Sequence, residues 1–306
     1  MKQGLSAAAP CLTDKEGLMR IKKKWIILFL LPCVLLFCFV YLLSIGEILV
    51  TSFCEWRIGG SISFVGIENY KQVFASEEFQ SALKNNIIWV LLQSTVHVLT
   101  GVIFALVVTR GKRYSKFFQT IYMLPNIISS AAVAMVFYNI FNPMYGPVNK
   151  IIQALGFKNF NVNWFADQKY AFPAVTLTWL PFAAMVSILV IAELKAIPSS
   201  VLDAAVVDGA SEFQTIWHVK LPLVKSAIGT GTILAATSML QKFDILTITT
   251  NGGPGTKTMN LPLLVYKTAF KDSNFGLANT QGLILIVIGL ISIAFINRIY
   301  RMNEPM

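Results

Sequence analysis

The sequence is short of charge. Only 13% of its 306 residues are Asp, Glu, Lys or Arg, against about 25% in a soluble domain. It is also short of the side chains that do chemistry, with 2 His and 4 Cys. His97 and His218 stand alone, and no Ser/His/Asp, Cys/His or His-Glu-x-x-His constellation surrounds either. That excludes the common hydrolases, and no catalytic residue or metal ligand set is expected. Cys11, Cys33, Cys38 and Cys54 lack the spacing of a disulfide framework or a zinc site and read as small packing residues. Tandem repeats, low-complexity tracts and loops long enough to bury a core of their own are missing too.

What is present is long uncharged runs. Trp25 to Gly46, Asn85 to Val108, Phe117 to Asn149, Tyr170 to Ala192 and Ser273 to Asn297 contain no Asp, Glu, Lys or Arg. Each exceeds the ~20 residues with which a helix crosses a hydrocarbon core. A shorter run, Ser226 to Leu240, is expected to continue past Gln241, Lys242 and Asp244. Backbone polar groups within lipid must be satisfied inside the segment, which favours helices. None of the runs alternates in polarity as a barrel strand does. The expected fold is an all-α membrane protein of six transmembrane helices: residues 1–24 precede it, 25–297 form one six-span domain, and 298–306 are a tail.

The loops fix an orientation. With the N-terminus inside, 15 of the 25 Lys and Arg fall on the inner side, carried by the clusters Arg20–Lys24 and Arg110–Lys116. This follows the positive-inside rule and places both termini in the cytoplasm. The net charge of +10 is thereby explained by the membrane, with no nucleic-acid partner, since no basic face is interleaved with stacking aromatics. The first run is too long for a cleaved signal peptide and lacks a small-x-small cleavage site.

One inner loop is longer than its role as a connector requires. In 197–222, Pro198 punctuates the end of the fourth span and Ser199 or Ser200 can cap a new helix, with Asp203 at capping-box spacing from Ser200. Leu202, Ala205 and Val206 fall on one face, with Ala204 alongside. Asp208-Gly209 ends that helix, and Ser211-Glu-Phe-Gln214 is a second capping box, with Pro222 closing the helix that follows. A compact helix-turn-helix on this face suits docking with a soluble partner, and equally a hairpin lying on the lipid surface.

Here a family resemblance enters. Asp203-Ala204-Ala205-x-x-Asp208-Gly209-Ala210, followed by Leu221-Pro222, resembles the EAA loop of binding-protein-dependent ABC importer permeases, with Asp203 in place of the usual Glu. Tyr122-Met-Leu-Pro125, Phe141-Asn-Pro-Met-Tyr-Gly146, Thr250-Asn-Gly-Gly-Pro254 and Tyr266 to Phe270 are similar to the carbohydrate-importer branch, of the maltose and glycerol-phosphate type. The resemblance covers roughly residues 20–300 and implies the type I importer permease fold in a bacterial inner membrane. It implies three partners: a second homologous permease, an ABC ATPase dimer that holds ATP and Mg, and an extracytoplasmic solute-binding protein. This chain would then bind no cofactor and hydrolyse nothing. In the coupling loop, Asp203 would make a polar contact with the ATPase, Ala204 and Ala205 a close fit, and Gly209 the turn.

Three further features need a reading. Asn251-GGPGTKT-Thr258 lacks the spacing of a phosphate loop, because Thr256 separates Gly255 from Lys257; it reads as an outer turn. His97, within the second span, reads as a hydrogen-bonded packing residue rather than a proton relay. Lys242 and Asp244 are costly in lipid and are expected to face water or protein. Trp179 and Phe182 in the fourth span, with Ser238, Gln241 and Lys242 in the fifth, are the candidate solute contacts, on the helices that supply them in sugar importers of the resembled type. An ion-coupled secondary transporter, a structural subunit without a solute path, and an importer of amino acids or metals are the alternatives.

Overall fold

The computed structural model describes residues 23–111 and 113–300. Arg20 and Lys22 of the N-terminal basic cluster, Cys11, Lys112 and the tail from residue 301 lie outside the described residues. Two compact units divide between Glu47 and Ile48. In the first, a helix from Lys23 carries apolar, exposed side chains such as Phe29, Leu36 and Phe39. That is the surface a hydrocarbon solvent covers.

The second unit holds the rest. Glu77–Val108 and Phe275–Tyr300 are unbroken helices long and apolar enough to cross a membrane, as is Ile27–Thr51. Counting each of three bent helix pairs as one span, the described residues hold up to 6 candidate spans. The last helix runs to Tyr300 rather than ending at Asn297.

Three of the charge-free runs are not the single rods that hydropathy suggests. The third is two helices, Ser115–Ile127 and Ser130–Ile140, bent by 102°. Ile128 and Ser129 are extended there, and the Ser129 hydroxyl accepts from the Ala132 N–H to cap the second piece. The fourth run is Ala171–Leu177 and Ala184–Ala196 with an irregular stretch between them. Pro181 sits in that stretch, and its ring and missing N–H do not continue a helix. The fifth was expected to run through Lys242 and Asp244. Instead Lys225–Gln241 stops at an extended Lys242, and a new helix begins as Asp244–Thr249.

Two packed clusters hold the unit together. One gathers Val73, Phe79, Phe165, Met259 and Leu261, so the loops around residues 51–83, 142–169 and 251–272 share one end of the molecule. Asn85 ties the same end by donating to the carbonyls of Thr256, Lys257 and Met259 at 3.2, 3.1 and 2.8 Å. The Asn251–Thr258 segment is a tight turn after a helix, not a phosphate loop after a strand.

The second cluster packs Val98, Val102 and Ala105 of the second span against Val186 and Val190 of the fourth. The close approach is at Gly101, where a Cβ would stand 2.9 Å from Val186 Cβ and 3.0 Å from Ala183 Cβ. The Ser187 hydroxyl donates to the Gly101 carbonyl at 3.1 Å across the contact. Without a hydrophobic drive between helices in lipid, small residues and such hydrogen bonds set the approach. Gly101→Leu is expected to force the spans apart, at a cost of about 1–3 kcal/mol for overpacking. Thermal unfolding in detergent checks this: a midpoint equal to the parent protein's would contradict the described contact.

Candidate functional site: a cavity at broken helices and an inner helical loop

The irregular stretch of the fourth span would leave backbone groups unsatisfied in the membrane, and neighbouring side chains take them up. The Tyr122 hydroxyl donates to the Pro181 carbonyl at 2.8 Å and accepts from the Ala183 N–H at 2.9 Å. Asn126 donates to the Phe182 carbonyl at 3.1 Å. His97 Nδ1 lies 2.9 Å from the Leu180 carbonyl, so that nitrogen carries the proton. His97 is thus a hydrogen-bonded structural residue, as read from the sequence, but its partner is the break itself. Tyr122 and Asn126 were not singled out for this role. The signal was available in Pro181, which frees carbonyls inside an otherwise apolar run.

The fifth span breaks at the same level. The Lys242 carbonyl accepts from Asn260 Nδ2 at 2.5 Å. Asp244 accepts from the Ser130 hydroxyl and so faces protein. A cavity of about 650 Å³ opens between the two breaks. Trp179, Phe182, Ser238, Gln241 and Lys242, the five residues chosen from the sequence, all line it. Lys242 lies past the end of the helix that carries Ser238, yet the two share the cavity. Gln93, His97 and Asn126 line it as well and were missed as lining residues. Lys242 Nζ stands 5.3 Å from the centre of the Trp179 ring, in cation–π geometry. Behind Trp179, Trp89 packs edge-on at 5.6 Å and stacks on Phe172 at 4.7 Å.

The inner loop forms the expected helix, glycine turn and helix. Ala184–Ala196 turns through 73° into Ser199–Val207. The cap differs from expectation. Pro198, extended at φ −59 and ψ 138, is the N-cap, so Ser199 and Ser200 fall inside the first turn and make no capping bond. At the other end, Ala210 N–H bonds to the Ala205 carbonyl and Gly209 N–H to that of Val206, a Schellman closure with Gly209 at φ +75. The second capping box is present in both halves: Ser211 accepts from the Gln214 N–H, and Gln214 accepts from the Ser211 N–H. Pro222 does not close the helix. A widened π-turn over Ile216–Lys220 precedes it, and the path bends only at Val224, by 67°.

Ala205 is buried, whereas Asp203, Ala204, Asp208 and Gly209 are exposed. Val206, on one face with Leu202 and Ala205 by its spacing, is 70% exposed, and Val207, Phe213 and Trp217 are exposed beside it. Arg110 of the short basic loop bonds Glu212 at 2.8 Å, which puts both loops at the same end of the molecule. The pair is open to solvent, so Glu212→Gln should change stability by no more than about 1 kcal/mol; a larger shift in a thermal melt would give the pair a structural weight its exposure does not predict.

With the geometry described, the chain can be compared with known proteins. Residues 97–305 match the family described as "Binding-protein-dependent transport system inner membrane component". The chain belongs to that family. The probable ABC transporter permease protein YurN of Bacillus subtilis (strain 168) is 30% identical over 86% of this chain and 91% of its own length. The multiple sugar-binding transport system permease protein MsmF of Streptococcus mutans is 33% identical over 79% of this chain and 83% of its own. In fold, the chain resembles a chain of a bacterial alginate ABC transporter, solved with an alginate-pentasaccharide-bound periplasmic protein. That likeness has a TM-score of 0.80 at 22% identity, over 92% of this chain and 96% of that one.

The chain is therefore a multi-pass permease of an ABC importer, with the type I importer fold. Its family consists of transport permeases, not enzymes. The cavity lies where the permease's fourth and fifth spans are interrupted, and the helical loop lies at the end marked by Arg110.

Proposed function

We propose that this permease forms the translocation pathway for a sugar, oligosaccharide or related polyol compound, and that the cavity at the two helix breaks is its solute site. The observation that carries this is the convergence of Trp179, Phe182, Ser238, Gln241 and Lys242 on one cavity. The Phe182 ring offers an apolar surface to a sugar ring, Trp179 backs the site from the core, and the hydroxyl, amide and ammonium groups meet the sugar's oxygens. The cavity volume of about 650 Å³ suits a small saccharide. The kinship with a multiple sugar-binding system's permease supports the same class.

The inner loop, in this reading, is the ATPase contact. Val206, Val207, Phe213 and Trp217 present an apolar surface beside Asp203, Ala204, Asp208 and Gly209, and Ala205 roots it in the permease. Leu221 and Pro222 lead from it into the fifth span. Two ATPase subunits close on ATP and Mg, and the loop carries that motion to the breaks. A second, homologous permease completes the pathway, and an extracytoplasmic binding protein delivers the solute to its outer mouth. Both termini lie in the cytoplasm of a bacterial cell, consistent with the basic residues at the Arg110 end.

Uptake in cells lacking the chain tests the reading. Saccharide uptake should disappear on deletion, return on complementation, and stop on ATP depletion while surviving a protonophore. Uptake that follows an ion gradient and ignores ATP would make the chain a secondary transporter.

A further inference from the structure

The charge balance of the cavity points to a narrower class of solute. Lys242 is the sole Asp, Glu, Lys or Arg among the lining residues. Among the described residues, no carboxylate lies within ion-pair distance of its ammonium. The nearest acid in sequence, Asp244, accepts from Ser130 and stands in the first turn of its own short helix, outside the cavity lining. The Lys242 ammonium lies over the Trp179 ring instead. A ring quadrupole attracts a cation but does not neutralise it, and a cation withdrawn from water is costly without a counter-charge. Gln93, also in the lining, keeps a buried Oε1 with no hydrogen-bond partner. Asp244 attracts the Lys242 ammonium only from beyond ion-pair distance, so the site holds a positive charge with no direct carboxylate partner among the described residues, and an unused amide oxygen.

We propose that the solute carries an acidic group (carboxylate, sulfonate or phosphate ester) on its saccharide body, and that Lys242 is the specificity-determining residue that pairs with it. This rests on the saccharide pathway proposed above. Trp179 holds the lysine stem and ammonium in place from behind, leaving its other donors to the solute anion. The remaining lining groups are uncharged: Asn126, Thr178, Ser238 and Gln241 hydrogen-bond hydroxyls of either kind of sugar. Acidic and neutral saccharides would then be told apart at one residue.

The test uses the full chain with its natural partners in cells. Cells with and without it are given one mixture of malto-, xylo- and galacto-oligosaccharides together with uronate-, sulfonate- and phosphate-bearing saccharides of the same lengths. Mass spectrometry of the medium identifies what each strain removes, and it separates the three anion types. Solutes whose removal requires the chain are expected to be acidic. Lys242→Met should cut that uptake about tenfold or more, the loss of one charge-assisted contact, while Lys242→Arg holds it within about threefold. Immunoblots of membranes verify that both variants are present at parental amounts. If the required solutes are neutral and Lys242→Met leaves their uptake unchanged, the acidic-solute inference is wrong and the saccharide reading stands. Equal loss in both variants at normal abundance would make Lys242 a packing residue and also overturn it. If no saccharide depends on the chain, the underlying reading fails and takes this one with it.

Discussion

Replacing Gly209 with valine is expected to abolish uptake while the permease remains in the membrane. Gly209 adopts φ +75, and nothing stands within 4 Å of the position a Cβ would take. The substitution therefore meets no clash; its cost is the left-handed backbone itself, about 1–2 kcal/mol for an L-residue and more for a β-branched one. That is a modest part of a protein's stability, typically about 5–15 kcal/mol. It is a large part of what holds one turn. The Schellman bonds from Gly209 and Ala210 to Val206 and Ala205 depend on that geometry. Relaxing it swings Ser199–Val207 against Glu212–Thr215 and spoils the surface offered to the ATPase. Gly209→Asn, which tolerates the left-handed region, should keep most uptake. ATP hydrolysis by the purified assembly, read beside solute uptake, separates lost coupling from lost protein. Normal uptake in Gly209→Val would remove the loop from the account.

The second large effect is expected at Trp89. It is fully buried, stacks on Phe172 at 4.7 Å and 4°, packs edge-on to Trp179, and donates to the Thr176 hydroxyl at 2.8 Å. Truncation to alanine removes the backing of the one aromatic that carries Lys242. A buried Trp→Ala change costs about 3–5 kcal/mol, enough to leave little folded permease in detergent. Trp89→Phe keeps a ring on Phe172 and loses one hydrogen bond, a cost of about 1 kcal/mol. The Thr176 hydroxyl also donates to its own Phe172 carbonyl at 2.7 Å, so it is not stranded. Fluorescence-detected size-exclusion after a temperature ramp measures both. An alanine variant as heat-resistant as the phenylalanine one would mean that Trp89 does not support the cavity.

The spans and the loop were readable because they rest on strong local chemistry. Runs without charge have few other places to go, and the capping box at Ser211 and Gln214 with glycine at 209 specifies its own geometry. The breaks were not readable from hydropathy, because an interrupted helix is as apolar as a continuous one. Pro181 marked one of them, but the polar residues that make it tolerable, Tyr122, Asn126 and His97, come from two other spans. Lys242 ended its helix against expectation because Asn260 takes its carbonyl, a contact across 18 residues that no window detects. Val206 shows the limit of periodicity in a short helix: Ala205 alone is fully rooted, and the face beside it is left for a partner.

The most direct test of the central claim is what travels with the chain. A tagged permease, released from its native membrane in mild detergent, should bring a second six-span permease and an ABC ATPase, identified by mass spectrometry. The ATPase should be lost, and the second permease kept, when Gly209 is replaced by valine. A chain recovered alone from membranes in which its solute uptake is intact would contradict the account.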